Sequence, residues 1–189
     1  ISAGFALVVS RYRIAPPPPR QAARARVALR PMLAYLAGYF LFGAGYIAYM
    51  TFMIAYVRDA GGGALAQSAF WCAIGVGAFV SPWIWHGLIA RSNDGIAMAV
   101  LMALTTVGAA LPMLGHGPAL LAASALVFGV AFFAVTTATT AFVRFNYPPA
   151  AWPQAIAVMT ISFSLGQTLG PFVTGALTDL LGSLFYALV

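Results

Sequence analysis

Hydrogen-bonding side chains inside long apolar runs are the residues of this sequence that could do chemistry. Gln167 lies in the middle of one such run, where a neutral amide is costly unless it is hydrogen-bonded. We therefore treat Gln167 as the leading candidate for contact with a polar solute. No Asp, Glu, Lys or Arg lies at the middle of these runs, so a strongly charged ligand is disfavoured unless another part of the molecule supplies the counter-charge.

A stripe of aromatic residues supplies further hydroxyl groups. Its members follow an unbroken four-three spacing that places them on one face of a helix. The stripe comprises Tyr35, Tyr39, Phe42, Tyr46, Tyr49, Met53 and Tyr56. Two interpretations apply to Tyr39, Tyr46 and Tyr49, which form either the wall of a solute cavity or a packing seam between helices. The end residues Tyr35 and Tyr56 are expected to pack in the seam and to anchor at the membrane surfaces.

Two threonines late in the fourth apolar run, Thr136 and Thr140, are also candidates for solute contact. They belong to a cluster of threonines late in that run, and Thr51 is the residue that corresponds to Thr137 of this cluster in the first apolar run. The alternative is that each hydroxyl bonds to its own helix backbone, which makes threonine tolerable in lipid and often functionally silent.

Five apolar runs of membrane-spanning length must position these side chains. They cover residues 32–57, 68–90, 96–114, 118–143 and 155–178, and roughly 20 apolar residues span a bilayer as a helix. The chain is 62% hydrophobic and 6% charged, which leaves too little polar surface for a globule in water. Because the runs lack the alternating pattern of a membrane barrel, the sequence predicts an all-α membrane protein.

Arginine is confined almost entirely to one side of these runs. Eight arginines fall on that side and only Arg58 falls on the other, so the positive-inside rule makes the arginine-rich side cytoplasmic. The net charge of +6 is explained by these membrane flanks rather than by nucleic acid, which we do not expect as a partner. The expected partners are the lipid bilayer and a small-molecule substrate.

Both ends of the sequence look like parts of further membrane spans. Residues 1–9 are apolar but too short to cross a bilayer, and residues 10–31 form an Arg- and Pro-rich segment that predicts a cytoplasmic linker. Residues 183–189 begin another apolar run. We therefore expect residues 32–189 to be a transmembrane bundle that is truncated in its last helix and that pairs with a missing N-terminal half.

An internal repeat divides this bundle into two units of three helices. The segment GAGYIAYMTFMIAYVR at 43–58 aligns without gaps with GVAFFAVTTATTAFVR at 129–144. An odd number of helices reverses the direction of the chain, so the second unit must be inverted in the membrane. Inverted three-helix repeats are an architecture of secondary transporters.

Glycine and proline recur at matching positions of the two units. Gly166 and Gly170 permit close contact between helices, and Pro171, which follows Gly170 directly, bends the same helix. Gly77 and Pro82 occupy the corresponding positions of the second run. We expect tight helix crossings and kinks at these sites.

With these features the sequence resembles the C-terminal half of a major facilitator superfamily transporter. The segment GQTLGPFVTGALTDLLG at 166–182 is similar to the family's eleventh helix, and GYIAYMTF at 45–52 is similar to its YbfB/YjiJ-type bacterial branch. The resemblance implies a six-helix half built from two inverted three-helix repeats in the bacterial inner membrane. It also implies proton-coupled, alternating-access transport of a small organic solute, with any titrating carboxylate outside this chain.

The loop after the second run departs from the family pattern. The family often has Gly-x-x-x-Asp-Arg/Lys-x-Gly there, whereas Gly87 and Arg91 are followed by Asp94 and Gly95 in this chain. The displaced acid leaves open whether this loop forms a gating charge pair.

Two other classes of function are compatible with a helical membrane protein. An intramembrane enzyme would need a nucleophile with its base or a set of metal ligands, and the sequence has no HExxH, GxSxG or acidic pair in its spans. A non-catalytic scaffold needs only packing surfaces, and the repeat, the kinks and the polar groups at mid-span argue against it. We therefore predict a transporter without catalytic residues, metal site or cofactor.

Overall fold

The computed structural model describes residues 30–59, 61–115 and 117–181, and within them the protein is a bundle of helices. The α-helices are α1 (Leu33–Asp59), α2 (Ala64–Arg91), α3 (Ile96–Ala110), α4 (Pro118–Asn146) and α5 (Trp152–Leu181). With their flanking 3₁₀ turns, all five are long and apolar enough to cross a membrane, which confirms the predicted all-helical membrane class. The expected span end at 1–9, nearly all of the linker at 10–31 and the span start at 183–189 lie outside the described residues.

The helices extend beyond several of the apolar runs that predicted them. Helix α2 begins at Ala64 rather than at residue 68, and α4 continues to Asn146 rather than ending at residue 143. Backbone hydrogen bonding continues through polar residues, whereas an apolar run ends at the first polar group. The turn between α2 and α3 ends at Gly95, whose φ of 93° lies in the left-handed region that favours glycine.

Helices α1 and α5 cross at close range because glycines occupy the crossing. A Cβ atom on Gly43 would lie 2.5 Å from the carbonyl oxygen of Phe163. On α5, a Cβ atom on Gly166 or on Gly170 would clash with the backbone of α1. Such backbone contact is typical of small-residue interfaces between membrane helices.

Helices α2 and α4 form a second close crossing of the same kind. A Cβ atom on Gly77 would lie 2.8 Å from the carbonyl oxygen of Leu126, and one on Gly129 would clash with the backbone of α2. Gly77 and Gly129 correspond in the sequence repeat to Gly166 and Gly43. The two crossings therefore use equivalent residues of the two units.

Aromatic rings fill the space between α1 and α4. Tyr35 stacks on Phe142 and Tyr49 stacks on Phe128, each with ring centroids 4.1 Å apart. Tyr35 is buried in this seam. Helix α3 packs against α4, and the buried core includes residues of all five helices, with Phe70 and Ile74 from α2 and Met159 from α5.

The two ends of the bundle carry different numbers of arginines. Arg30, Arg91 and Arg144 lie at one end, which we call the arginine-rich end, and Arg58 lies at the opposite end of α1. Successive helices run in opposite directions between these ends, so this arrangement follows the alternation that the sequence predicts.

Candidate functional site

Gln167 of α5 and Tyr46 of α1 form a polar pair about halfway along both helices. The Gln167 side-chain amide donates a hydrogen bond to the Tyr46 hydroxyl, and both side chains are half-buried. Gln167 lies between Gly166 and Gly170, and the close approach of those glycines to α1 brings its amide to Tyr46. Both residues are candidates from the sequence, and the structure brings them together.

Pro171 adds a second polar group at the same position. A proline has no N–H group and cannot donate to the carbonyl four residues earlier, which belongs to Gln167. Gln167 therefore presents a side-chain amide beside a backbone carbonyl that has lost its helical partner. Pro82, inside α2, has the same relation to the carbonyl of Ala78.

Aromatic rings from three helices surround the Gln167–Tyr46 pair. The ring of Phe163 on α5 lies parallel to that of Tyr46, with centroids 5.5 Å apart and planes 4° apart. The ring of Phe132 on α4 also stacks with that of Tyr46, with centroids 5.8 Å apart. The sequence pattern did not identify Phe132 or Phe163 as site residues, although Phe132 aligns with Tyr46 in the repeat and Phe163 lies one helical turn before Gln167.

Tyr39 and Tyr49 are buried in the seam, and neither hydroxyl joins the Gln167–Tyr46 hydrogen bond. Tyr49 is 3% exposed, and its hydroxyl lies 2.7 Å from the hydroxyl of Ser124. Because Ser124 donates its own hydrogen to the carbonyl of Gly108 at 2.7 Å, Tyr49 must be the donor to Ser124. Tyr39 is buried and stacks on Phe163 with centroids 4.8 Å apart.

The threonine candidates bond to their own helix. Thr136 donates to the carbonyl of Phe133 at 2.7 Å, and Thr140 donates to the carbonyl of Thr136 at 3.1 Å. Each hydroxyl retains acceptor capacity, but these bonds are the ones expected of threonines that are silent in lipid. The structure does not bring either side chain to Gln167.

The loop candidates lie at the arginine-rich end. The Asp94 carboxylate accepts hydrogen bonds of 3.1 Å from the Ile96 N–H and from the Ser92 hydroxyl. The Ile96 N–H holds the pKa of this exposed carboxyl below its ordinary value. Asp94 therefore caps the start of α3 within its own loop, while Gly87 and Arg91 are exposed on α2.

The polar pair lies in a part of the bundle without carboxylates. The three acidic residues of the chain are Asp59, Asp94 and Asp179, and they lie in the last turn of a helix or in a loop. Among the described residues, no group of three or more His, Cys, Asp or Glu could hold a metal ion. The geometry therefore supports hydrogen bonding and ring stacking to an uncharged molecule.

Comparison with known proteins gives one match. The family described as Uncharacterised MFS-type transporter YbfB matches the chain over residues 2–189. This match confirms the resemblance that the segments at 45–52 and 166–182 indicate. No curated protein and no solved structure matches the chain.

Proposed function

The chain belongs to the family described as Uncharacterised MFS-type transporter YbfB, and we propose that it forms one wall of the binding site for a small, uncharged organic solute. Membership of this family makes the chain a multi-pass membrane protein that functions in transport. Its five helices of membrane-spanning length agree with that class. The observation that carries the proposed site is the Gln167–Tyr46 pair, held halfway along α1 and α5 within a cluster of aromatic rings.

The pair has the properties that a reversible solute site needs. Without solute, the Gln167 amide donates to the Tyr46 hydroxyl, so each group has one partner and keeps further hydrogen-bonding capacity for a solute. The half-burial of both side chains leaves them open to a new partner. A bound solute would form hydrogen bonds with Gln167 and Tyr46 in place of the bond between these two residues. Its flat apolar part would lie against Phe132 and Phe163.

We propose that the solute site is exposed alternately to the two sides of the membrane. The equivalent glycine crossings, Gly43 with Gly166 and Gly129 with Gly77, support a bundle of two inverted three-helix repeats. In such transporters the substrate site lies near the bilayer midplane, and one bundle rocks against another around it. The positions of Gln167 and Tyr46 within their helices agree with that depth.

Proton coupling and the location in a bacterial inner membrane belong to the same proposal. The acids of this chain lie away from mid-helix, so a coupling carboxylate would have to be contributed by another part of the transporter. With the arginine-rich end in the cytoplasm, Arg30, Arg91 and Arg144 would lie beside anionic headgroups.

Thiol labelling from both sides of the membrane tests the alternating exposure. Cys72 is the single cysteine, so a Cys72→Ala background permits Gln167→Cys to be labelled alone in inverted and in right-side-out vesicles. A membrane-impermeant thiol reagent should reach position 167 from both sides. Leu165→Cys is the matched control, because this exposed residue lies two positions away on the opposite side of α5 and should not be labelled.

Labelling of position 167 from one side only would contradict alternating access while leaving a solute site standing. Labelling from neither side would contradict the proposed site itself and would favour a scaffold. Protection of position 167 by an added uncharged solute would identify that solute class.

A further inference from the structure

A groove between α2 and α4 lies apart from the Gln167–Tyr46 pair. It encloses about 280 Å³ and is lined by residues of these two helices, in the half of the bundle nearer the arginine-rich end. We call it the lateral groove. Its apolar walls include Trp85, Ile89, Phe133 and Phe145. Trp85 is held in place because its indole N–H donates to the carbonyl of Val130 at 2.9 Å.

Polar groups with unused hydrogen-bonding capacity line the floor of this groove. Ser81 is 2% exposed, yet its hydroxyl makes no hydrogen bond to any residue that the structure describes. Pro82 has no N–H group to give to the carbonyl of Ala78, which also lines the groove. The Thr137 hydroxyl reaches the carbonyl of Phe133 only at 3.5 Å, which is too long for a strong hydrogen bond.

These unsatisfied groups carry a free-energy cost that a ligand can recover. A hydroxyl or carbonyl that is held in apolar surroundings without a partner is less stable than one that is hydrogen-bonded. The hydrocarbon of a membrane offers no water to satisfy it. A molecule with a single hydroxyl could donate to the Ala78 carbonyl and accept from Ser81, because a hydroxyl is both donor and acceptor.

We propose that the lateral groove binds a second class of ligand, a neutral amphiphile with one aromatic ring and one hydroxyl that dissolves in the bilayer. Trp85 and Phe133 supply the faces and edges against which a ring packs. Among the residues that the structure describes, the groove is lined by one imidazole, that of His86, and by no carboxylate or arginine, so a neutral ligand fits its lining.

An occupant would lie beside the α2–α4 crossing. Ser81 lies one helical turn after Gly77, whose backbone contacts α4. A ligand wedged there would resist any change in the angle between the two helices. The lateral groove would therefore influence transport from outside the solute site, and its existence does not depend on the solute that the Gln167–Tyr46 pair binds.

Photolabelling of the purified protein in phospholipid vesicles tests this site. The probe is a 4-alkylphenol with a diazirine in its alkyl chain, and labelled peptides are located by mass spectrometry. We expect saturable labelling of α2 and α4 around Ser81 and Phe133. Excess 4-hexylphenol should abolish it, whereas hexylbenzene, which differs only by lacking the hydroxyl, should compete at least about fivefold more weakly, the factor expected for one net hydrogen bond.

Two substitutions separate the polar and apolar parts of the site. Ser81→Ala should weaken competition by 4-hexylphenol about fivefold and leave that by hexylbenzene unchanged. Its control is Ser164→Ala, at an exposed serine of α5. Phe133→Trp should fill the groove and remove the saturable labelling, whereas Phe172→Trp, at an exposed phenylalanine of α5, should not.

Three results would overturn the proposal. Labelling that never saturates would show ordinary partition into the lipid around the protein. Equal competition by 4-hexylphenol and hexylbenzene would show that the hydroxyl is not recognised. Labelling at Tyr46 or Gln167 instead of α2 would show that the phenol is a ligand of the solute site.

Discussion

The closeness of the α1–α5 crossing can be tested by adding one methyl group at each of two glycines. In Gly43→Ala the new Cβ would lie 2.5 Å from the carbonyl oxygen of Phe163, where real Cβ atoms do not come closer than 3.0 Å. The helices must separate by about 0.5 Å or bend, and overpacking of this kind costs about 1–3 kcal/mol. In Gly45→Ala the Cβ would meet nothing within 4 Å.

The comparison of these two variants isolates the packing cost. Both gain about 1 kcal/mol of helix propensity relative to glycine, and this gain cancels between them. Gly43→Ala should therefore be less stable than Gly45→Ala by about 1–3 kcal/mol, measured by reversible unfolding in mixed micelles of mild detergent and sodium dodecyl sulfate. Because separation of α1 from α5 would also move Tyr46 away from Gln167, Gly43→Ala should weaken solute binding as well. Equal stabilities would refute the close crossing.

Three further predictions concern single side chains. Gln167→Leu should weaken binding of uncharged aromatic solutes about tenfold, as expected for one hydrogen bond lost from a buried partner, in thermal-shift titrations where exposed Gln154→Leu on the same helix has no effect. Tyr49→Phe should lower the free energy of unfolding by about 0.5–1.5 kcal/mol, because it removes the hydrogen bond to Ser124, without changing solute affinity. Asp94→Asn should remove an acid-dependent loss of folding stability, measured as the free energy of unfolding against pH. Because the pKa of Asp94 is lowered in the folded state, its carboxylate contributes fully to folding stability above the ordinary carboxyl pKa. That contribution is lost as the pH falls through the lower pKa of the folded state.

Each of these predictions has an outcome that contradicts it. Unchanged binding in Gln167→Leu would remove Gln167 from the solute site. A loss of affinity in Tyr49→Phe would mean that the seam and the site are one unit. Identical pH profiles for Asp94→Asn and the unmodified protein would show that the hydrogen bond from Ile96 does not persist in solution.

The helices and their order were predictable from the sequence because their determinants are local. The length of each apolar run decides whether a helix spans a bilayer, and the five runs became five helices. The predicted helix ends were less accurate, since α2 begins at Ala64, four residues before the apolar run that begins at residue 68. The need of the Gln167 amide for a hydrogen-bond partner was also predictable, because an amide in the middle of an apolar run is costly without one.

The partner of Gln167 was decided only by the tertiary structure. Tyr46 and Tyr49 belong to one stripe with regular spacing, and their local sequence predicts the same role for both. The structure separates them: Tyr49 is buried against Ser124 of α4, while Tyr46 is half-buried and bonded to a residue 121 positions away on α5. That difference arises from the glycine crossings, which determine which helix lies against each side of α1. Helical periodicity specifies the direction of a side chain, but close packing between distant segments determines what it meets.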